Sequence, residues 1–390
     1  MSTKERESKA QTRTLERITC CLNEKDALEH LYTFNNFPVF MGCSNEPKSN
    51  DMTFNMEWFI GKESGLIQLK KLLPLDVLYA DSHGAGEVGA IWDKHHSAFA
   101  KFISKFSPNS VFEIGGGHGI LAKKYQEYKK TNWTILEPNP TPTNDCPANF
   151  ITGFFDKDFQ FNEPFDTVIH SHVLEHIYEP LQFMKYLEDF TKIGDKLIFT
   201  LPNMKKMLER KYTNCINFEH TYFITEPYIE YLLDKFNFTI IEKEYFLEDH
   251  SIFYSALRTE STKQDFTFTN ALYIENKSIF NQYIQYFEIE IEKINIVLKN
   301  TDKKVYLFGA HIFAQYLIAF GLDTSKIICL LDNDKNKQNR RLYGTNLMVD
   351  SPVCLKKVNE PIVILKAGVY NNEIKLDILR NINSAVIFLE

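Results

Sequence analysis

A few short runs in the chain place carboxylates, glycines and imidazoles where they could do chemistry. Residues 113–119 read EIGGGHG, between the apolar SVF and ILAKKY. A glycine turn between a buried strand and a helix lets a ligand approach the backbone, and the first amides of the helix face that ligand. Glu113, ahead of Gly115, Gly117 and Gly119, is placed to accept from an ammonium group, directly or through water. Glu137 ends the run WTILEP, where a carboxylate can take two hydrogen bonds from ribose hydroxyls. GFFDKDF at 153–159 falls where an adenine would lie, and Phe154 and Phe155 can pack on it or simply fill a core. FDTVIHSHVLEHI supplies His172 and His176, which can serve a ligand or satisfy local backbone. NFEHTYF supplies Glu219, His220, Tyr222 and Phe223. A histidine near neutral pKa is the natural proton acceptor there, and the alternative is that His220 only caps or packs ahead of EPYIEYLL.

The glycine spacing discriminates between cofactors. Gly115 and Gly117 fit the first two places of the dinucleotide fingerprint GxGxxG, but Ile120 stands in the third, where a glycine would let the helix pack on the strand. The nicotinamide oxidoreductase reading weakens and stays as an alternative. Glu113, Gly115, Gly117 and Gly119 give ExGxGxG, which resembles the turn of class I methyltransferases and implies S-adenosylmethionine as cofactor.

These runs need elements to hold them. Phe99, Phe102 and Phe106 fall on one helical face ahead of strand SVFEIG. An alternation then follows: helix GILAKKYQEYKK, strands WTILEP, NFITGFF and FDTVIHSH, helix EPLQFMKYLEDFTK and strand KLIFTLPN. Helix EPYIEYLLDKF and the strands FTIIEKEYF and SIFYSALR, read as an antiparallel pair, complete a doubly wound α/β sheet. Residues 276–299 have apolar positions at helical spacing and predict a long connecting helix. A second α/β unit begins at KVYLFGA, with IFAQYLIAFG, KIICLLDND and PIVILKAG after it. Residues 1–18 read as frayed, and 19–78 as irregular, with short apolar runs broken by polar turns.

The run FDTVIHSHVLEHI, followed by KLIFTLPN and NFEHTYF, resembles the three-domain sugar methyltransferases typified by the deoxysugar C-methyltransferases of antibiotic pathways. The resemblance covers about residues 60–390 and is strongest over 111–225. It implies an N-terminal zinc-binding-like segment (1–78), a Rossmann-like class I methyltransferase domain (79–260), a linker with a long helix (261–300) and a second Rossmann-like domain (301–390). It also implies a nucleotide-linked sugar held between the last two domains, and a role in surface glycan synthesis. Gly115 and Gly117 match the family's cofactor turn, Glu137 its ribose acid and His176 a family histidine, while His172, a cofactor candidate, stands near the methionine end of the cofactor where an asparagine is usual. Glu219 and His220 match its catalytic run, with Tyr222 and Phe223 after them, but Asn217 replaces a tyrosine. Oxygen, carbon and nitrogen acceptors therefore stay open, as does a catalytically silent assembly subunit. The segment 78–99 corresponds to the part that closes over the cofactor, which makes Tyr79 a cofactor candidate and His96 a substrate candidate, beside His83, Trp92 and His95. His176 and Tyr222 are further substrate candidates.

No metal is expected. Where the family has CxxCG this chain reads Gly61, Lys62, Glu63, Ser64, Gly65, and Cys20, Cys21 and Cys43 are too few for a four-cysteine zinc site. The neighbouring histidines lack HExxH spacing. In FGAHIFA, 308–314, His311 replaces the second fingerprint glycine and hinders a pyrophosphate, so the last domain is expected to dock the sugar nucleotide or stiffen its neighbour. Asp332 and Asp334 can bind a ribose or simply end a strand.

Composition sets the frame. The 390 residues are 44% hydrophobic, enough for two or three cored domains. Seven cysteines form no CxxC pair and are read as reduced thiols. A net charge of −7 with mixed signs gives no reason to expect nucleic acid or membrane as partner, and with no signal-peptide-like start the expected location is cytoplasmic.

Overall fold

The computed structural model describes residues 14–79, 90–260 and 266–390. The N-terminal region is a four-stranded antiparallel sheet in chain order: β1 (Thr19–Cys20), β2 (Asn23–Pro38), β3 (Thr53–Gly61) and β4 (Ile67–Leu69). This corrects the expectation of an irregular segment. The 16-residue β2 hides its period because its register against β3 slips at His30/Tyr32 and again at Phe34/Phe37, where Asn36 adopts φ 50°. Each bulge moves the apolar set to the other face, so no alternation survives for a reader of the sequence. The 61–65 turn, where the resembling family has two cysteines, is held by Asp26. Its carboxylate accepts from Glu63 N and Ser64 N, both at 2.8 Å, and Cys20 Sγ lies 3.3 Å from Ser64 Oγ.

The central domain starts with α1 (Ala90–Ser104) and continues through β5 (Ser110–Ile114), α2 (Ile120–Tyr125), β6 (Asn132–Glu137), β7 (Asn149–Thr152) and β8 (Thr167–Ser171). It is completed by α3 (Pro180–Phe190), β9 (Lys196–Pro202), α4 (Met204–Glu209), α5 (Glu226–Lys235), β10 (Phe238–Phe246) and β11 (Ser251–Arg258). The seven strands are ordered β7-β6-β5-β8-β9-β11-β10, with β11 running antiparallel to both neighbours. β5 is therefore central, and the order of connection reverses beside it, which opens a crevice beyond its C-terminal end. Phe99 and Phe102 of α1 pack with Phe253 on one face of the sheet. Leu187 of α3 and Tyr228 of α5 belong to the core that includes Phe112 of β5.

The long helix α6 (Asn270–Lys299) starts six residues earlier than the sequence predicts. The C-terminal domain then forms a five-stranded parallel sheet, with β12 (Val305–Phe308), α7 (Ile312–Ala319), β13 (Ile327–Leu331), β14 (Val349–Asp350), β15 (Ile362–Leu365), α8 (Asn371–Asp377) and β16 (Ile387–Leu389) in the order β14-β13-β12-β15-β16. One core joins Trp58 of the N-terminal sheet, Phe280 and Tyr283 of α6 and Tyr316 of α7. The N-terminal segment is thus packed onto the C-terminal domain. Arg341 clasps Asp51 with two bonds of 2.5 and 2.6 Å, and Cys43–Ser44 pairs with Arg341–Leu342. Among the described residues no helix is long and apolar enough to cross a membrane.

Candidate active site

β5 delivers the chain into a turn in which Gly115, Gly117 and Gly119 have φ of 75°, 48° and 72°. This left-handed region suits glycine because a Cβ crowds the following carbonyl. The three glycines serve different ends. A Cβ on Gly119 would fall 2.2 Å from Cys146 Sγ and one on Gly115 would fall 2.8 Å from Val173 Cγ2, whereas one on Gly117 meets no protein atom within 4 Å. Gly117 therefore borders open space, as a residue facing a ligand must.

Glu137 stands at the tip of β6 and accepts from Gly117 N and Asn139 N, each at 3.1 Å. Glu113 is placed differently from the expectation. It is buried, its Oε2 accepts from Trp133 Nε1 at 2.7 Å, and its carboxylate lies under Gly116, so it supports the turn from beneath. The two phenylalanines also part company. Phe154 is exposed beside the end of β7, while Phe155 is a core residue against Phe159, Phe183 and Phe190.

A cluster of imidazoles lies next to the turn, because Val173, which abuts Gly115, sits between His172 and the short helical turn Leu174–His176. His172 takes φ 53° at the tip of β8, an uncommon conformation for a side chain of its size. Its Nδ1 is 3.2 Å from Glu175 Oε1 and its Nε2 is 3.1 Å from Ser251 Oγ. The ring meets Trp92 and His95 at centroid distances of 5.0 and 5.2 Å. His95 and His96 are buried on α1; desolvation lowers both, His96 to about 4. His96 packs beside Trp92. His83 lies outside the described residues.

The second half of the cluster brings together residues distant in sequence. His176 and His220 face each other with ring centroids 5.1 Å apart. Tyr79 Oη lies 3.3 Å from His176 Nδ1, and Glu219 Oε2 is 4.0 Å from the same nitrogen. His220 Nδ1 is 3.0 Å from the Cys215 carbonyl. A carbonyl only accepts, so Nδ1 carries the hydrogen and Nε2 keeps a free lone pair. Burial lowers the pKa of His172, His176 and His220, that of His176 to about 4, so all three imidazoles are neutral near pH 7. Asn217, standing where a tyrosine was expected, accepts from Glu219 N and His220 N at 2.8 Å and fixes the loop that carries them. Tyr222 is fully buried and donates its hydroxyl to Leu174 O at 2.6 Å, which ties it to the Leu174–His176 turn.

Sequence reading missed Glu175 and His250. Glu175 is fully buried, and burial raises its pKa. His250 Nδ1 lies 2.6 Å from the Ser251 hydroxyl that also meets His172. Neither carries a local signal, since each joins the cluster only through folding.

Residues 89–243 match a family model described as a methyltransferase domain. No curated protein sequence matches the chain. Solved structures with a similar fold include the 1,6-didemethyltoxoflavin-N1-methyltransferase of Burkholderia thailandensis, 14% identical over 47% of this chain and 84% of that one, at a TM-score of 0.37. The magnesium protoporphyrin IX methyltransferase of Synechocystis PCC 6803 is 16% identical, over 45% of this chain and 91% of that one, at 0.36. The PH0226 protein of Pyrococcus horikoshii OT3 is 16% identical, over 46% and 96%, at 0.37. Likeness at this level decides neither substrate nor mechanism.

Proposed function

We propose that this chain, an S-adenosylmethionine-dependent methyltransferase with its methyltransferase domain at residues 89–243, methylates a nucleotide-linked sugar or sugar acid in the cytoplasm, for surface glycan synthesis. The sugar acceptor is supported by the resemblance of the run NFEHTYF and by the order of the three domains. The observation that carries the reading is the facing pair His176 and His220, neutral and half-buried, next to a glycine turn that leaves room for a ligand.

The cofactor supplies an electrophilic methyl group on sulfur. Glu137 would hold the ribose, the amides after Gly117 and the floor at Glu113 would shape the turn, and Phe154 would cover the adenine. Methyl transfer is an in-line displacement, so the protein's main task is to align acceptor, methyl and sulfur in a dry pocket. Once bound, the cofactor would pass its methyl from sulfur to the acceptor and leave as S-adenosylhomocysteine. An acceptor hydroxyl, or a carbon beside a ketone, must also lose a proton. His220 Nε2 takes it, with the imidazole held by the Cys215 carbonyl, while His176, Tyr79 and Glu219 border the acceptor.

The test is calorimetric titration with S-adenosylmethionine and, separately, NADH, followed by a screen of nucleotide-sugars for S-adenosylhomocysteine release. Micromolar binding of the sulfonium cofactor alone is expected, with His220→Ala keeping that affinity and losing turnover by about 100-fold or more, as for a general base. NADH binding without S-adenosylmethionine binding would overturn the cofactor reading, and undiminished turnover in the variant would remove His220 from the mechanism.

A further inference from the structure

Glu175 is the least explained group in the site. It is fully buried, and neither carboxylate oxygen has a hydrogen-bond donor. Its nearest charge-capable neighbours are His172 Nδ1 at 3.2 Å and His176 Nε2 at 3.9 Å, imidazoles that desolvation keeps neutral. A buried carboxyl without donors takes up a proton or binds a cation, and burial raises the pKa of this one. One ligand atom from each of Glu175, His176 and His220 already lies within 4.8 Å of the other two.

We propose that Glu175, His176 and His220 form a site for a first-row divalent cation, with Zn2+ as its natural class of occupant. Two neutral imidazoles and one carboxylate make a donor set of the kind that binds Zn2+ with one coordination position left open. Zn–N and Zn–O bonds of about 2.0–2.1 Å set tetrahedral ligand atoms about 3.4 Å apart, so side-chain shifts of about 1 Å close the site. The outer contacts are in place. His220 donates Nδ1–H to the Cys215 carbonyl, and His176 Nδ1 faces Tyr79 Oη and Glu219, which turns the other nitrogen of each ring to the ion. No local run announces this site, because His220 lies far along the chain from the pair in HVLEHI.

Occupancy has a consequence for turnover. A cation on His220 Nε2 uses the lone pair that would take the acceptor's proton, so the metal acts as a reversible inhibitor. That consequence rests on the base role of His220; the binding does not.

The experiment strips the full chain with a chelator and titrates it with Co2+, following the visible d–d bands, and then displaces Co2+ with Zn2+ by calorimetry. One Co2+ per chain is expected, with nitrogen and oxygen ligation, and Glu175→Gln and His176→Gln each weaken it at least tenfold. Thermal melting confirms that each variant folds, and Glu175→Asp serves if Glu175→Gln does not. The absence of stoichiometric d–d bands overturns the site, as does binding indifferent to both substitutions. A thiolate-to-cobalt band, lost in Cys354→Ser, also overturns it, because Cys329, Asp350 and Cys354 form the other such group among the described residues. S-adenosylmethionine titrated into the same samples separates failure of this site from failure of the methyltransferase reading.

Discussion

EIGGGHG and FGAHIFA are wired alike and end differently. In each, the first glycine donates to the adjacent strand, Gly115 N to Leu136 O at 2.9 Å and Gly309 N to Leu331 O at 2.8 Å. In each, the acid at that strand's tip accepts from an amide of the turn, Glu137 from Gly117 at 3.1 Å and Asp332 from Ala310 at 3.0 Å. What differs is the space in front. A Cβ on Gly117 meets no protein atom, whereas the matching place in the second turn carries the His311 side chain, and residues 40–43 lie over that turn: Cys43 Sγ is 3.5 Å from Ala310 O, and Gln315 Nε2 donates to Phe40 O at 2.9 Å. The hydrogen-bond pattern thus belongs to the fold, and the capacity to bind a ligand belongs to the room left beside it.

The sharpest way to break this comparison is to fill the room. Gly117→Val is expected to weaken S-adenosylmethionine binding by about 100-fold or more in calorimetry while costing the fold only the left-handed strain of about 1–2 kcal/mol. Gly309→Ala, with φ 98° and no neighbour within 4 Å, should carry similar strain and leave cofactor affinity unchanged. Equal effects of the two substitutions would deny the first turn its special role.

The two acids give a smaller contrast. Glu137→Ala removes the proposed ribose partner and should weaken S-adenosylmethionine by about 10–100-fold, at about 1.5–3 kcal/mol for hydrogen bonds to a charged group. Asp332→Ala loses the bonds from Ala310 N and Lys337 Nζ and should lower the melting temperature without changing that affinity.

Acid acts on the central domain and on the covered turn alike. Desolvation lowers His96, in the central domain, and His311, at the covered turn, from 6.5 to about 4. Between those values the unfolded chain binds more protons than the folded one, so stability falls as pH drops from about 6.5 to about 4, by up to about 1.4 kcal/mol per group for each pH unit. Urea unfolding across this range should show the slope, and His311→Gln should reduce it. An unchanged slope would mean that His311 already has access to water in the folded state.

The parts legible in the sequence were those governed by local rules. Gly115, Gly117 and Gly119 announce their turn because few other residues tolerate that backbone, and the strands in SVFEIG, WTILEP, FDTVIHSH and KLIFTLPN show as apolar runs because they are buried on both faces. The N-terminal sheet was hidden by its bulges, and its union with the C-terminal domain by the fact that Asp51 meets Arg341 across most of the chain. At the site, His176 and His220 could be named from their runs, but not their approach to each other. Glu175 reads as one more polar residue in a helical turn until packing removes it from water.

The loop that carries His220 is moored from outside its own domain: Tyr316 of α7 donates its hydroxyl to Ile216 O, one residue before Asn217. A chimera that exchanges residues 301–390 would replace that mooring and with it the placement of His220. Acceptor preference should therefore be inherited with the C-terminal half, and grafts intended to retune it need to carry residues 212–220 and α7 as one cassette.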